Sequence, residues 1–230
     1  ILSKKADAVC VAYDGMERFF SREKIYKTGN PVREKITTST VSKVEGVRKF
    51  GLVESKKTVL IVGGSLGAKA INEAVDGNLE TLLQDDVQVL WQTGTYYYEQ
   101  AKQREQSNRD RVKVVAFIKE MDYAFAAADV VISRAGALAI SELCIVAKPV
   151  VFVPFPFAAE DHQTSNAMSL VGKGAALMVK NENAQTELVD TVNTLLADNI
   201  AQEKMIRNLK ALAVTDADVR IANKVIEITK

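Results

Sequence analysis

Short, continuously apolar runs alternate with longer segments of helical periodicity along most of the chain. Such runs predict strands that are covered on both faces, as in a parallel sheet. The predicted strands are residues 9–13, 58–62, 87–91, 112–117, 130–133, 150–153 and 176–179. The predicted helices are residues 67–83, 121–128, 137–147, 162–171 and 187–197. From about Lys56 onward, this order predicts an α/β fold with a Rossmann-like open parallel sheet.

The first thirty-three residues fit this alternation poorly. They predict a strand, a short helix over 16–20 and a second strand over 24–28, and they end in Gly29, Asn30 and Pro31. These turn-forming residues indicate a boundary, and a segment of this length is too short to fold alone. The expected division is a remnant of a preceding domain over 1–33, the sheet domain over 34–215, and a final helical segment over 216–230.

Composition narrows the class of protein. The chain is 47% hydrophobic and 26% charged, which excludes a disordered chain. Its net charge of +1 provides no positive field for a nucleic-acid backbone, so no nucleic-acid partner is expected. The longest apolar stretch, 149–159, holds three prolines and is shorter than the roughly 20 residues of a membrane-spanning helix. The chain starts with Ile-Leu-Ser and has neither an initiator Met nor a signal peptide, so we expect a fragment or a processed chain.

The cysteines and the histidine indicate no metal site. Cys10 and Cys144 are far apart and each lies among apolar residues, so we expect buried free thiols in a reducing compartment. His162 is the only histidine, and no cluster has the spacing of metal ligands. The Asp216-Ala-Asp218 segment matches a pattern that some glycosyltransferases use to hold a cation. Because it precedes a predicted helix, helix capping is the favoured interpretation.

A glycine-rich turn after the predicted strand 58–62 is the sharpest chemical signal. Glycines allow a tight turn and a close ligand approach, and the helix that follows offers unpaired N–H groups to an anion, so we expect a phosphate loop. The spacing is not G-x-G-x-x-G and no acidic residue ends the next predicted strand, which disfavours NAD. The turn is not a Walker A loop either, because no Gly-Lys-Ser/Thr follows. A turn without any ligand is the alternative. The residues of this turn are Gly63, Gly64, Ser65, Leu66 and Gly67.

Two further turns follow predicted strands. The turn after strand 130–133 leads into a helix that carries Glu142, a carboxylate that could accept hydrogen bonds from a ribose diol. A solvated surface glutamate is the alternative. A proline-broken loop over 154–157 precedes Gln163 and Asn166, whose amides suit sugar hydroxyls. The alternative there is a plain helix start with an acidic cap.

Four segments carry a family resemblance in this order: 29–33 (GNPVR), 63–68 (GGSLGA), 134–142 (RAGALAISE) and 161–167 (DHQTSNA). Together they resemble the MurG family, the bacterial N-acetylglucosaminyltransferases that make lipid II from lipid I. The resemblance implies a GT-B fold, with two Rossmann-like domains around a cleft. It implies that this chain is the C-terminal, donor-binding half, that residues 1–33 belong to the acceptor domain, and that the final helix returns toward that domain.

The resemblance also implies roles for individual residues toward the donor, UDP-GlcNAc. Arg33 and Ser65 would face the diphosphate, and Ile118 would meet uracil through its backbone. Glu142 would hold the ribose hydroxyls, and Gln163 would bind the GlcNAc hydroxyls. The start of the predicted helix would line the nucleotide through Ala137, Leu138, Ala139, Ile140 and Ser141. Ala135 and Leu66 depart from the serine and glutamine that are common in the family, but neither change removes a backbone donor.

By the same resemblance, the reaction is a single inverting displacement with no cofactor and no metal. The acceptor, lipid I, would bind mainly to the missing domain, at the cytoplasmic face of the bacterial inner membrane, through peripheral contact. No catalytic residue is assigned to this chain, which is expected to bind donor and could be inactive alone. The alternatives are another GT-B transferase that uses a UDP-sugar, and a non-enzymatic nucleotide-binding module.

Overall fold

A computed structural model describes residues 5–13, 15–64 and 67–229. Its centre is a sheet of six parallel strands: β3 (Lys57–Val62), β4 (Val87–Gln92), β5 (Val112–Val115), β6 (Val130–Ser133), β7 (Val150–Phe152) and β8 (Leu177–Met178). Their order across the sheet is β5-β4-β3-β6-β7-β8. The chain builds outward from β3 to β5 and then crosses back to place β6 beside β3, so the strand order reverses between β3 and β6. The predicted α/β class and open parallel sheet are confirmed.

Helices cover both faces of this sheet, which is why its strands read as continuous apolar runs. Val59, Leu60 and Ile61 of β3 are fully buried. The helices are α1 (Glu34–Thr37), α2 (Lys43–Lys49), α3 (Lys69–Gly77), α4 (Leu79–Leu82), α5 (Tyr98–Ser107), α6 (Met121–Ala127), α7 (Ala137–Val146), α8 (His162–Val171), α9 (Ala184–Ala197), α10 (Asn199–Leu212) and α11 (Ala217–Ile228).

The predicted helix over 67–83 forms as two helices. The break is at Asn78, whose side-chain amide donates to the carbonyl of Ala74 at 2.9 Å and to that of Gln185 in α9 at 3.0 Å. Asparagine competes in this way for backbone groups and ends a helix readily. Helices α1, α2, α5 and α10 were not predicted from the sequence.

The start of the chain forms a separate, two-stranded parallel sheet of β1 (Val9–Val11) and β2 (Ile25–Lys27). The predicted helix over 16–20 is a single 3₁₀ turn, Met16–Arg18. Helix α11 lies against this small sheet: the ammonium of Lys224 in α11 is 3.6 Å from the centre of the Tyr26 ring in β2. The predicted division at 33 and 215 stays a prediction.

The prediction of two buried thiols is wrong for one of them. Cys144 in α7 is buried, but Cys10 in β1 is exposed. The small sheet has only two strands, so a residue on its outer face can remain open to solvent even within an apolar run. Among the described residues, no helix is long and apolar enough to span a bilayer.

Candidate functional site

A cleft of about 730 Å³ opens at the carboxyl ends of β3, β6 and β7. This is the edge, and the point of strand-order reversal, at which open α/β sheets bind ligands. Three connections form its walls. They are the glycine turn (residues 63–67), the arginine turn (residues 133–136) and the proline loop (residues 154–157), with Gln163 at the start of α8.

The glycine turn is shaped by close packing of backbone on backbone. Gly67 has a φ of +82°, and a Cβ there would collide with the carbonyl oxygen of Thr93. Gly64 has a φ of +86°, but a Cβ there would meet no atom of the described residues within 4 Å. Among its described residues, the turn is therefore tight at Gly67, on the side of β4, and open at Gly64, on the side of the cleft. Ser65 and Leu66 lie outside the described residues.

Gln92, which was not predicted as a site residue, joins the glycine turn to the loop after β5 that contains Ile118. It ends β4 and is buried. Its amide nitrogen donates to the carbonyl of Gly64 at 3.0 Å, and its oxygen accepts the backbone N–H of Ile118 at 2.9 Å. A polar residue that directly follows the apolar run of β4 was the available signal. The predicted contact of Ile118 with uracil would therefore have to use a group other than this N–H.

Helix α7 begins in the arginine turn with its first N–H groups directed out of the helix. No side chain in the described part of the chain caps it at Gly136. Ala137, Leu138 and Ala139 therefore hold backbone donors without an intrahelical partner. The N–H of Ile140 already donates to the Gly136 carbonyl at 3.0 Å. Of these residues, Gly136 and Ala139 line the cleft.

Arg134, at the floor of the cleft, ties the arginine turn to the start of the proline loop and to Asn181, which follows β8. One of its terminal nitrogens lies 2.8 Å from the Val153 carbonyl, 2.9 Å from the Pro154 carbonyl and 2.8 Å from Oδ1 of Asn181. Its guanidinium carbon is 5.5 Å from the centre of the Phe155 ring. Burial disfavours the charged form and lowers the pKa of Arg134 to about 10.

The amides of Gln163 and Asn166 on α8 each bond to a neighbouring loop. Gln163 accepts the backbone N–H of Phe155 at 3.0 Å and lines the cleft. Asn166 donates to the carbonyl of Ala135 at 3.2 Å. Gln163 therefore sits beside the proline loop with its amide at the cleft wall, and Asn166 braces the arginine turn.

The predicted residues Ile140 and Ser141 face away from the cleft. They line a second cavity of about 300 Å³, together with Tyr13 and Asn30 from the start of the chain. The Ser141 hydroxyl accepts a hydrogen bond from the Asn30 amide at 3.1 Å, and the Tyr13 hydroxyl donates to the Ala137 carbonyl at 2.9 Å. Burial raises the pKa of Tyr13 to about 12. Tyr13 and Asn30 thus support the first turn of α7 on the side that faces away from the 730 Å³ cleft.

Arg33 and Glu142 form an ion pair outside the lining of the 730 Å³ cleft. Nη2 of Arg33 lies 2.7 Å, and Nε 3.2 Å, from Oε1 of Glu142. The Glu142 side chain is only 9% exposed, whereas that of Arg33 is 50% exposed. Glu142 is therefore a buried, paired carboxylate, and the alternative of a solvated surface residue is wrong.

Asp216 occupies the N-cap position of α11, but within the described residues its side chain makes no capping hydrogen bond, so the predicted helix capping is wrong for this side chain. It precedes α11 and forms an ion pair with Arg220, at 2.9 Å between Nε and Oδ1. Within the ranges that the structure describes, no group of three or more histidine, cysteine or acidic side chains is placed to hold a metal ion.

The open parallel sheet, with a cleft at the point where the strand order reverses, makes this chain a Rossmann-like α/β domain. Sequence comparison then identifies its family. The chain belongs to the glycosyltransferase family 28 C-terminal domain family, which matches residues 58–221. Among curated relatives, the UDP-N-acetylglucosamine--N-acetylmuramyl-(pentapeptide) pyrophosphoryl-undecaprenol N-acetylglucosamine transferases of Parabacteroides distasonis and Cytophaga hutchinsonii are 48% and 50% identical to it.

Each of these matches covers 99% of this chain, but only 62% and 61% of the relative. The chain therefore spans about three fifths of the length of these relatives. A crystal structure of Acinetobacter baumannii MurG superposes with a TM-score of 0.73 at 30% identity, over 97% of this chain and 62% of that one. The resemblance to the MurG family is confirmed.

Proposed function

We propose that this chain is the donor-binding part of an inverting transferase that moves GlcNAc from UDP-GlcNAc to lipid I, giving lipid II for peptidoglycan synthesis. The relatives named above carry this activity in their names. The observation that carries the proposal is the 730 Å³ cleft, where the glycine turn, the start of α7 and Gln163 meet. Its volume lies within the range of small-molecule sites.

The diphosphate of the donor would lie between the glycine turn and α7. Backbone N–H groups near Gly64, Ser65 and Leu66, together with those of Ala137 and Ala139, are the proposed donors. As GlcNAc leaves, negative charge grows on the diphosphate of UDP. Fixed N–H groups and the positive end of the α7 dipole would stabilise that charge in the transition state.

The uridine would lie toward Ile118 and Glu142. Because the Ile118 N–H is held by Gln92, we propose that uracil donates its ring N–H to the Ile118 carbonyl. Glu142 would accept hydrogen bonds from the ribose hydroxyls, and Gln163 would bind hydroxyls of GlcNAc. The muramyl 4-hydroxyl of lipid I would attack the anomeric carbon through an oxocarbenium-like transition state.

The acceptor would be held mainly by a part of the protein outside this chain. Peripheral contact with the cytoplasmic face of the inner membrane belongs to the same proposal. Neither a cofactor nor a catalytic side chain of this chain is needed for the donor-binding role.

Isothermal titration of the chain with UDP, ADP and UDP-GlcNAc tests the donor-binding role. We expect UDP to bind about tenfold or more tightly than ADP, because an adenine offers a different hydrogen-bonding edge. Gln163→Ala should reduce the affinity for UDP-GlcNAc more than that for UDP, whereas Gln103→Ala on the exposed face of α5 should change neither. Equal affinity for UDP and ADP would contradict the proposal.

The full reaction is tested in a protein that also contains the acceptor part. We expect GlcNAc transfer to lipid I from UDP-GlcNAc, and little transfer from UDP-glucose. Transfer of another sugar to another lipid would instead support a different transferase of the same fold. Donor binding without transfer to any acceptor would support a non-enzymatic nucleotide-binding module.

A further inference from the structure

A single buried amide, that of Gln92, connects the glycine turn to the loop that contains Ile118. We infer that Gln92 is a positioning residue: it fixes these two parts of the donor site relative to each other, and by occupying the Ile118 N–H it makes the site select uracil over cytosine. Gln92 acts through the backbone of both loops and does not itself touch the donor. This inference rests on the proposed function, and it names the source of base selection in the same site.

The two contacts of Gln92 need opposite polarities at the two ends of one amide. Its nitrogen donates to the Gly64 carbonyl at 3.0 Å, and its oxygen accepts the Ile118 N–H at 2.9 Å. Gln92 is only 2% exposed, so bulk water does not compete for either contact. An aliphatic side chain supplies neither group, and a carboxylate supplies only the acceptor. This position therefore uses the donor and the acceptor of its amide together.

On the side of the glycine turn, Gln92 completes the hold on one carbonyl. The Gly64 carbonyl also accepts the N–H of Gly67 at 3.0 Å, so it receives two hydrogen bonds. Glycine is the residue with the most backbone freedom, and a Cβ at Gly64 would meet no atom of the described residues within 4 Å. Side-chain packing therefore does not fix this peptide group. The two hydrogen bonds fix it, next to the proposed position of the diphosphate.

On the side of Ile118, Gln92 extends the backbone pairing between β4 and β5. The N–H of Gly94 donates to the Ala116 carbonyl at 3.1 Å, just beyond the ends of these two strands. Further along the loop, the Gln92 side chain accepts the N–H of Ile118, which is 3% exposed. A side chain of β4 therefore holds the part of this loop that is proposed to meet the base.

The occupied N–H decides which base edge fits. In the proposed site, Ile118 meets the base with its carbonyl, which is an acceptor. Uracil carries an N–H on its ring nitrogen N3, whereas N3 of cytosine carries no hydrogen and is itself an acceptor. A donor pairs with the carbonyl, but an acceptor placed against it leaves both groups without a partner, which a binding site penalises strongly. Gln92 therefore sets the base preference although it contacts only backbone groups.

Strand β4 carries a second buried glutamine that provides a matched control. The amide nitrogen of Gln88 donates to the Val53 carbonyl at 2.8 Å and to the Thr58 hydroxyl at 3.0 Å, and its oxygen accepts the Val53 N–H at 2.8 Å. Gln88 is fully buried. Among the described residues, the lining of the 730 Å³ cleft includes none of these partners. Removing the Gln88 amide therefore disturbs the same strand without reaching the site.

Nucleotide titrations of four variants test the inference. Gln92→Met removes both contacts, and Gln92→Asn is a milder change whose shorter amide does not reach both loops. Gln92→Glu is the conservative variant: burial favours its neutral form, which both donates and accepts and so retains the two contacts. Gln88→Met is the control. Each variant and the unmodified chain are titrated with UDP, CDP and ADP at about pH 6, where a buried carboxyl stays neutral. Thermal unfolding verifies that each protein is folded.

We expect the unmodified chain to bind UDP about tenfold or more tightly than CDP. Gln92→Met should reduce this preference about tenfold, because the released Ile118 N–H can donate to N3 of cytosine. Gln92→Asn should change the preference in the same direction. Gln92→Glu should retain it, and Gln88→Met should lower the unfolding temperature without changing it.

A preference for UDP over CDP that survives in both Gln92→Met and Gln92→Asn would overturn the inference. If Gln92→Met does not fold, Gln92→Asn alone decides. An equal change of preference in Gln88→Met would show a general effect of losing a buried amide and would also overturn it, as would an unmodified chain that binds CDP as tightly as UDP. Failure of the unmodified chain to prefer UDP over ADP would instead refute the proposed function.

Discussion

The two turns that flank the strand-order reversal lie side by side, because Val62 pairs with Ser133 in the sheet, yet they are built in opposite ways. The glycine turn is shaped by positions where a side chain has no room or no allowed conformation. The arginine turn is held by two side chains, Arg134 within it and Asn166 of α8. Its glycine, Gly136, has a φ of −67°, and a Cβ there would meet no atom of the described residues within 4 Å. The fold therefore requires Gly67 but does not require Gly136. This difference fits the proposal that the diphosphate of the donor lies above Gly136.

The largest effect is expected in the glycine turn. Gly67→Ala should lower the free energy of unfolding by about 3 kcal/mol, because it combines a positive φ with a collision against the Thr93 carbonyl. Urea denaturation measures this loss. Gly51→Ala is the matched control, since Gly51 has a φ of +65° but a Cβ there would meet no atom of the described residues within 4 Å. It should lose only about 1 kcal/mol. Equal losses at the two positions would contradict the view that packing shapes the glycine turn.

The next effect is expected at the anchor of the arginine turn. Arg134→Met should lower the free energy of unfolding by about 2 kcal/mol, because it leaves the Val153 and Pro154 carbonyls and Asn181 without their donor. Urea denaturation also measures this loss, with Arg207→Met on the exposed face of α10 as the control. An unchanged stability in both variants would show that the turn does not depend on its arginine.

Gly136→Ser tests whether the open space of the arginine turn serves a ligand. Serine is a better N-cap than glycine, so the free energy of unfolding should stay the same or rise by a few tenths of a kcal/mol. Its hydroxyl would occupy the space above the turn and would engage an N–H group at the start of α7. We therefore expect UDP affinity to fall about tenfold in a titration while stability is retained. Unchanged UDP affinity would remove α7 from the proposed diphosphate site.

The two turns also differ in how far the sequence could predict them. The glycine turn follows an apolar run directly, so a local pattern was enough to find it. The ion pair between Arg33 and Glu142 joins residues 109 positions apart, and no local pattern reports such a contact. Helix α5 was not predicted because Ala101 is its only buried residue. Its sequence therefore shows no apolar face with helical spacing. The Asp76 carboxylate, which accepts from Tyr97, Gln100 and Arg104, ties it to α3 instead.

The smallest effect concerns the support of the arginine turn from the start of the chain. Tyr13→Phe removes the hydrogen bond to the Ala137 carbonyl, so at pH 7 the free energy of unfolding should fall by about 1 kcal/mol.

The fold raises the pKa of Tyr13 from 10.0 to about 12. The folded state therefore retains this proton above pH 10, where the unfolded state loses it, and the stabilisation declines as the pH rises from 10 toward 12. Urea denaturation across this range should show a weaker decline in Tyr13→Phe than in the unmodified chain, and Tyr96→Phe, at an exposed position, should change neither value. Identical pH profiles for all three proteins would show that the first turn of α7 does not rely on Tyr13, and the contrast between the two turns would then rest on Arg134 and Asn166.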